Sequence, residues 1–498
     1  MTTAVSAPQH AADPKAPPPA GEPQVSASPG AAPVSTLDEI FERQRQARWQ
    51  IPDLAARRRT LKRLVRWVEK NSKAIRQAGA ADFNKPALEV DLTEIVPVLS
   101  EARFALKHLK GWMKPQKVKT VLALASTRAK LLYEPRGVVL IISPWNYPFN
   151  LTAGPLVSAL AAGNRVILKP SESTPNTSAV LARMVQELFE PDEVALFEGE
   201  ADVAQALLAK PFDHIFFTGS PAIGRHVMTA AAQHLTSVTL ELGGKSPIIV
   251  DESAHLPDAV AKTLVGKWIN AGQTCIAPDY ALVERSTLPA FVGQMKKDLE
   301  RAYGKTPEKR KRSKDLARIV NRRHFDRLSR LLDLSVEAGA TVAFGGGRDP
   351  ETCYFEPTVL VDVAADSPIM QEEIFGPILP VRAYDDLDSA IAEVRSRPKP
   401  LALYVMSRRA RTIDHLLAST SAGGSCVNEV AVHFLHPRLP FGGVNHSGHG
   451  SAHGEYGFRA FSHERAVLSH HRFSPFKVLA PPYSWSARRL TQLTKRLL

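Results

Sequence analysis

Residues 138–149 read Val-Val-Leu-Ile-Ile-Ser-Pro-Trp-Asn-Tyr-Pro-Phe. An unbroken aliphatic run with no polar alternation predicts a strand over Val138–Ile142 that is buried on both faces. Pro144 then stops the run. Working outward, further strand candidates are Arg165–Lys169, His214–Phe217 and Ser246–Val250. Between them lie helix-length amphipathic runs, Thr152–Leu160, Thr177–Leu188, Ala201–Leu208 and Ala222–His234. Apolar strands alternating with helices are the pattern of a parallel α/β sheet.

A helix start is expected near Ser35-Thr36-Leu37-Asp38-Glu39, with Ser or Thr as cap. From there to about Met113 the pattern is helical and charged, with Leu54, Leu61, Leu64, Val65 and Trp67 as its apolar stripe. Val121–Leu124 and Lys130–Tyr133 look like strands, the second leading through Pro135-Arg136-Gly137 into Val138. A second alternating series runs from about 255 to 430, separated from the first by the Gly243-Gly244 turn. The closing segment, Ala487–Leu498, is basic and amphipathic. It reads as a surface helix of the fold or as a weak membrane-surface contact.

The 498 residues suit about three domains of ~150 residues. Hydrophobic residues at 44% and charged residues at 23% are globular values, which excludes wholesale disorder and a membrane bundle. The net charge of +13 sits in helix-like runs such as 56–63 and Lys296–Arg330. No aromatic residues are interleaved for base stacking, so solvated helix faces are expected and no nucleic-acid partner. Three cysteines at wide spacings exclude a disulfide framework or a Cys₄ zinc site, and no metal-ligand spacing is seen. A reducing, cytoplasmic location is expected. No apolar run approaches the ~20 residues of a transmembrane span. Residues 1–34 are Ala/Pro/Ser-rich without a signal-peptide core, and read as a disordered tail.

Cys275 lies among small and polar neighbours in Asn-Ala-Gly-Gln-Thr-Cys-Ile-Ala-Pro, 270–278, where backbone can approach a ligand closely. An isolated cysteine is also a common inert core residue. Glu241 ends the β-rich run Val238-Thr239-Leu240 beside a glycine pair, which suits a general base or a surface carboxylate. Asn146 sits past the end of a buried strand, placed to donate to an oxyanion or to cap the next helix. Gly219 and Ser220 in Phe-Thr-Gly-Ser, 217–220, follow a strand and open a helix, so the turn can take a phosphate or be an ordinary connection. Lys169 and Glu172 lie past another strand, where polar groups can grip a ribose. Glu373 and Phe375, in Glu372–Pro377, lie before a tight turn.

Taken together, the chain resembles the aldehyde dehydrogenase superfamily from about residue 37 to 485. The matching segments stand in family order: PWNYPF at 144–149, LKPSE at 168–172, FTGS at 217–220, LELGGKSP at 240–247, GQTCIAPDY at 272–280, EEIFGP at 372–377 and LPFGG at 439–443. GQTCIAPDY, the stretch 439–467 and Pro-Pro-Tyr at 481–483 are similar to the class 3, fatty-aldehyde and coniferyl-aldehyde branch.

The resemblance implies oxidation of an apolar or aromatic aldehyde to the acid, with Cys275 as nucleophile, Asn146 as oxyanion donor and Glu241 as base. It also implies a cofactor site. Lys169 and Glu172 would meet the adenosine ribose, and Gly219, Ser220 and Gly224 the diphosphate. Trp145, Leu242, Glu373 and Phe375 would complete it. NAD is the expected cofactor, with NADP usable, and a homodimer is the expected assembly. The implied α/β architecture has a Rossmann-like NAD(P)-binding domain (35–241), a catalytic domain (242–438) and a small β bridging element. That element comes from strands near 118–135 and from the closing segment, 439–498. A CoA-acylating dehydrogenase and a cysteine thioesterase are the alternatives. Asn445, His446 and His449 depart from the small residues the branch often carries there.

Overall fold

The computed structural model describes residues 34–121, 124, 126–470 and 480–497. Four helices open it: α1 (Val34–Ala47), α2 (Leu54–Phe83), α3 (Ala87–Val90) and α4 (Val96–Trp112), with a π-helical turn, Asp91–Ile95, before α4. Ser35 and Thr36 lie inside α1, so neither is the cap expected there. Strands β1 (Gln116–Val118) and β2 (Thr127–Pro135) follow. Of the expected strand at 121–124, Leu122 and Ala123 fall outside the described residues, as does the tail up to residue 33; Val121 is not in a strand.

The alternating region then runs β3 (Val138–Ile142), α5 (Asn150–Ala162), β4 (Arg165–Lys169), α6 (Pro175–Leu188), β5 (Val194–Leu196), α7 (Ala201–Leu208), β6 (His214–Thr218), α8 (Pro221–Ala232) and β7 (Ser237–Glu241). These strands lie in the order β7-β6-β3-β4-β5, all parallel. Val139 and Ile141 face the helices α2, α4, α5 and α6, while Val138, Leu140 and Ile142 face α1, α7 and α8. Cover on both faces is why β3 tolerates no polar residue.

The second sheet is built from β8 (Pro247–Val250), α9 (Leu256–Trp268), β9 (Tyr280–Glu284), α10 (Leu288–Tyr303), α11 (Pro307–Lys311), α12 (Arg322–Glu337) and β10 (Thr341–Phe344). A small hairpin, β11 (Arg348–Asp349) and β12 (Tyr354–Phe355), precedes β13 (Thr358–Val361), β14 (Ile378–Tyr384), α13 (Leu387–Arg395), β15 (Ala402–Met406), α14 (Ala410–Ser419) and β16 (Gly424–Val427). Its order is β10-β13-β14-β9-β8-β15-β16. The strand expected at Ser246–Val250 therefore belongs here, paired with β9 and β15, rather than to the first series. Two left-over strands close the chain. β17 (Gly448–His449) adds antiparallel to β7, and after α15 (Gly454–Ala460), β18 (Ser462–His470) pairs antiparallel with β2, Ser462 opposite Pro135. Among the described residues of the closing segment expected in the bridging sheet, β18 alone joins it. The last element, α16 (Trp485–Leu497), is a surface helix that buries Ala487 and exposes Trp485 and Leu493. Among the described residues no helix is long and apolar enough to cross a membrane.

Candidate active site

In the first sheet the chain runs outward from β3 to β4 and β5 on one side, and to β6 and β7 on the other. The loops leaving β3 and β6 therefore diverge, and a crevice opens at their carboxyl ends. Pro144, Trp145 and Asn146 leave β3 on one side of it; Gly219 and Ser220 leave β6 on the other. The turns that precede β8, β9 and β14 of the second sheet close it, carrying Gly243–Gly244, Cys275 and Glu373–Phe375. The resulting groove has a volume of about 650 Å³ and gathers Trp145, Asn146, Gly219, Ser220, Glu241, Leu242, Cys275, Glu373 and Phe375. That volume falls in the range of small-molecule and cofactor sites.

Cys275 is presented by an unusual piece of backbone. Asn270 (φ 55°), Ala271 (φ 52°) and Gly272 (φ 75°) are successive left-handed residues. Such conformations cost energy for residues with a Cβ and persist only where the surroundings hold them. Here Asn270 Nδ2 donates to Asn146 O at 2.9 Å, Gln273 Nε2 donates to Arg318 O at 3.0 Å, and Gln273 Oε1 accepts from Val320 N at 3.0 Å. A Cβ on Gly272 would collide with the backbone of Gly376, so this position admits only glycine. Asn146 does not cap α5, whose N-cap is Phe149. Its Nδ2 donates instead to Gln273 O at 3.0 Å, which fixes the carboxamide beside the cysteine loop with one N–H to spare.

Two carboxyls bear on Cys275. Glu241 is 6% exposed, its Oε1 has no hydrogen-bond partner, and burial pushes its pKa to about 8. Glu373 packs where a Cβ on Gly243 would sit, and burial, reinforced by Asp279, raises it to about 8 as well. Burial first, then Glu373 and Glu241, hold the Cys275 thiol well above its ordinary value. The resting Cys275 side chain is therefore a thiol, which would need a base to become a thiolate.

The remaining expected residues divide by position. Trp145 meets the Phe375 ring edge-on at 5.3 Å and His324 at 4.8 Å, forming an aromatic wall. Lys169, 4% exposed, pairs at 2.9 Å with the exposed Glu172 beyond the end of β4. Burial raises Glu172, but Lys169 outweighs it and leaves the carboxylate below its ordinary value. Gly224 does not line the groove: a Cβ there would press on Leu242, so it sets how closely α8 approaches β7. A groove with an aromatic wall, a helix N-terminus and a separate anchored carboxylate fits a dinucleotide. Among the described residues no group of acids, histidines and cysteines could hold a metal ion.

Three features of the site escaped the sequence. Lys245 reaches Asp279 and donates to Ile369 O and Glu372 O, each at 2.9 Å, while Arg327 donates to Glu372 Oε1 at 3.0 Å; together they brace the loop bearing Glu373. A second cavity, about 40 Å³, reaches Glu241 from the other side, walled by Leu151, Phe216 and Phe434, with Glu101 and His453 also lining it. Finally, a buried ion pair, Lys85–Glu94 at 2.8 Å, supports both loops. Glu94 Oε2 accepts from Asn150 N at 2.9 Å, Lys85 lies 4.1 Å from the centre of the Tyr147 ring, and nearby Glu89 accepts from Asn270 N at 2.8 Å. The π-helical turn carries Glu94 into this position, in keeping with the frequent use of such turns at functional sites. Lys85→Met is expected to cost about 3–5 kcal/mol, because Glu94 is left buried without a counter-charge. Denaturant titration reads this, and Lys85→Met with Glu94→Gln should recover part of the loss; an unchanged midpoint in the single variant would contradict the pairing.

Residues 19–467 match the aldehyde dehydrogenase family. The chain belongs to this family. Aldehyde dehydrogenase family 3 member H1 of Arabidopsis thaliana is 45% identical over 431 residues, 86% of this chain and 88% of that one. A Pseudomonas aeruginosa protein named probable coniferyl aldehyde dehydrogenase is 42% identical over 462 residues, 92% of this chain and 96% of that one. A solved structure described as the substrate-bound state of Staphylococcus aureus AldH has a TM-score of 0.88 at 40% identity, covering 92% of this chain and 99% of that chain. The protein is thus an NAD(P)-dependent aldehyde dehydrogenase, and its mixed α/β fold is the Rossmann-like one of that family. In this dehydrogenase the groove, the thiol and two buried carboxyls meet at one place.

Proposed function

We propose that this dehydrogenase oxidises an apolar or aromatic aldehyde through a covalent intermediate on Cys275. The observation that carries the reading is the meeting of Cys275, Asn146 and the unpartnered Glu241 carboxyl at the groove. The Cys275 thiol gives its proton to a water molecule in the groove and the sulfur attacks the carbonyl carbon, giving a thiohemiacetal whose oxyanion takes the spare N–H of Asn146. When bound, the nicotinamide would supply the hydride acceptor that conversion of this adduct into a thioester requires. Glu241 then takes a proton from water, the hydroxyl attacks the thioester, and the C–S bond breaks to release the acid.

Residues 35–241, which hold β3 to β7, serve as the cofactor domain and 242–438 as the catalytic one, with β1, β2 and β18 as the bridging, dimer-forming element. A cytoplasmic homodimer is the proposed form. A CoA-acylating activity would leave Glu241 without a task, and a thioesterase would leave the dinucleotide groove without one. Absorbance of reduced cofactor with a panel of aldehydes, with and without CoA, decides. Reduced cofactor and free acid formed without CoA support the proposal; a strict need for CoA overturns it.

NAD is the proposed preferred cofactor. A 2′-phosphate would meet Glu172, at a cost of about 1 kcal/mol for two charges 4 Å apart in water. Lys169 and the positive field of Arg323 partly offset this, so NADP remains usable. Glu172→Gln is expected to shift the NADP/NAD ratio of kcat/KM about five- to tenfold towards NADP. An unmoved ratio would mean that Glu172 does not read the ribose.

A further inference from the structure

The N-terminus of α8 offers a bound anion little by itself. Pro221 has no N–H, Ile223 N is directed at Ser220 Oγ (3.4 Å), and Gly224 N donates to Ser220 O (2.9 Å). Ala222 is left as the free backbone donor of the first turn, too few for a diphosphate carrying two charges.

Two basic side chains stand beside that turn. Arg225 follows Pro221 and Ala222 by about one helical turn, so it shares their face of α8, and all three line the groove. Beside it, His446 lines the same groove. Its loop is pinned by Val444 N donating to Ser447 Oγ (2.9 Å), Leu242 N donating to Ser447 O (3.1 Å), and the left-handed Asn445 (φ 55°). Arg225 Nη2 lies 3.5 Å from His446 Nδ1, and among the described residues Arg225 is in no ion pair. Two cation-forming groups in contact on the groove wall, neither paired to a carboxylate among the described residues, form one basic patch complementary to an anion.

We infer that Arg225 and His446 hold the cofactor's diphosphate against the start of α8. This rests on the reading of Gly219–Ser220 as the diphosphate turn and deepens it. Of the titratable groups near His446, Arg225 from α8 touches it, Glu241 ends β7, which pairs with β17, and His449 lies in β17. Burial, then Arg225, keep free His446 below the ordinary histidine value. An anion that bridges the pair from the groove side reverses that bias, so the imidazolium forms as cofactor binds and affinity rises as pH falls.

The test is equilibrium titration of NAD, without aldehyde, read by quenching of tryptophan fluorescence. Arg225→Gln should weaken binding about tenfold at pH 7. The wild-type dissociation constant should tighten several-fold from pH 8 to pH 6, and His446→Asn should abolish that dependence. ADP-ribose, which carries the diphosphate, should show the Arg225 effect; adenosine should not. Ser220→Asp, which keeps the helix cap but adds a negative charge, should block NAD. If Ser220→Asp blocks binding while Arg225→Gln and His446→Asn bind as wild type, the inference is overturned and the groove reading stands. If Ser220→Asp binds as wild type, the groove reading itself falls. Equal weakening for adenosine would also contradict the inference.

Discussion

Cys275→Ala is expected to lower aldehyde oxidation by at least about 10⁴-fold while the dissociation constant of NAD moves by no more than a few-fold. The asymmetry follows from position. Only the Cys275 sulfur can form the covalent adduct, whereas the dinucleotide groove is built mainly by Trp145, Gly219–Ser220, Leu242 and Phe375. The other two cysteines cannot substitute. Cys353 lies before the β12 hairpin strand and Cys426 in β16, where its Sγ sits 3.1 Å from His433 Nδ1. Neither lines the groove. Oxidation near the wild-type rate in Cys275→Ala would remove the nucleophile assignment.

Glu241→Gln should separate the two halves of the reaction. Acylation and hydride removal need the thiol and the Asn146 donor, so a burst of reduced cofactor should persist. Hydrolysis needs a base aimed at water and should slow by about 10²- to 10⁴-fold. Burial holds Glu241 near 8, so its basic form appears as pH rises through that value. Wild-type hydrolysis should therefore climb with pH to a plateau above about 8, and the variant should lose this limb. Equal loss of burst and turnover would place Glu241 earlier, as the group that deprotonates Cys275.

Much of this architecture was legible in residues 138–250. The strands β3 and β4 and the helix α7 lie where an apolar run or an amphipathic period placed them, because cover on both sheet faces leaves a strong local signal. β5, only Val194–Leu196, gives no periodicity to detect. The strand at 247–250 was recognisable as a strand but not by its sheet, since pairing with β9 and β15 is a non-local choice. At the site, prolines and glycines carried the information. Gly272 and Gly243 mark places where backbone or carboxylate approaches too closely for a Cβ. Gly224, expected at the diphosphate turn, also lets α8 pack closely against Leu242. Lys85 and Glu94 could not be found, because charges in an amphipathic helical stretch look like a solvated face. What distinguishes them is burial against loops more than 50 residues away, at Tyr147 and Asn150.

The central claim is that chemistry passes through an acyl group on Cys275, and its most direct test is intact-protein mass spectrometry of Glu241→Gln. The variant is mixed with NAD and an aromatic aldehyde, quenched in acid within the burst, and digested for site mapping. The account predicts one added mass per chain equal to the acyl group replacing a hydrogen, located on the peptide containing Cys275. A full burst of reduced cofactor with no such mass, or with the mass on Cys353 or Cys426, would contradict it.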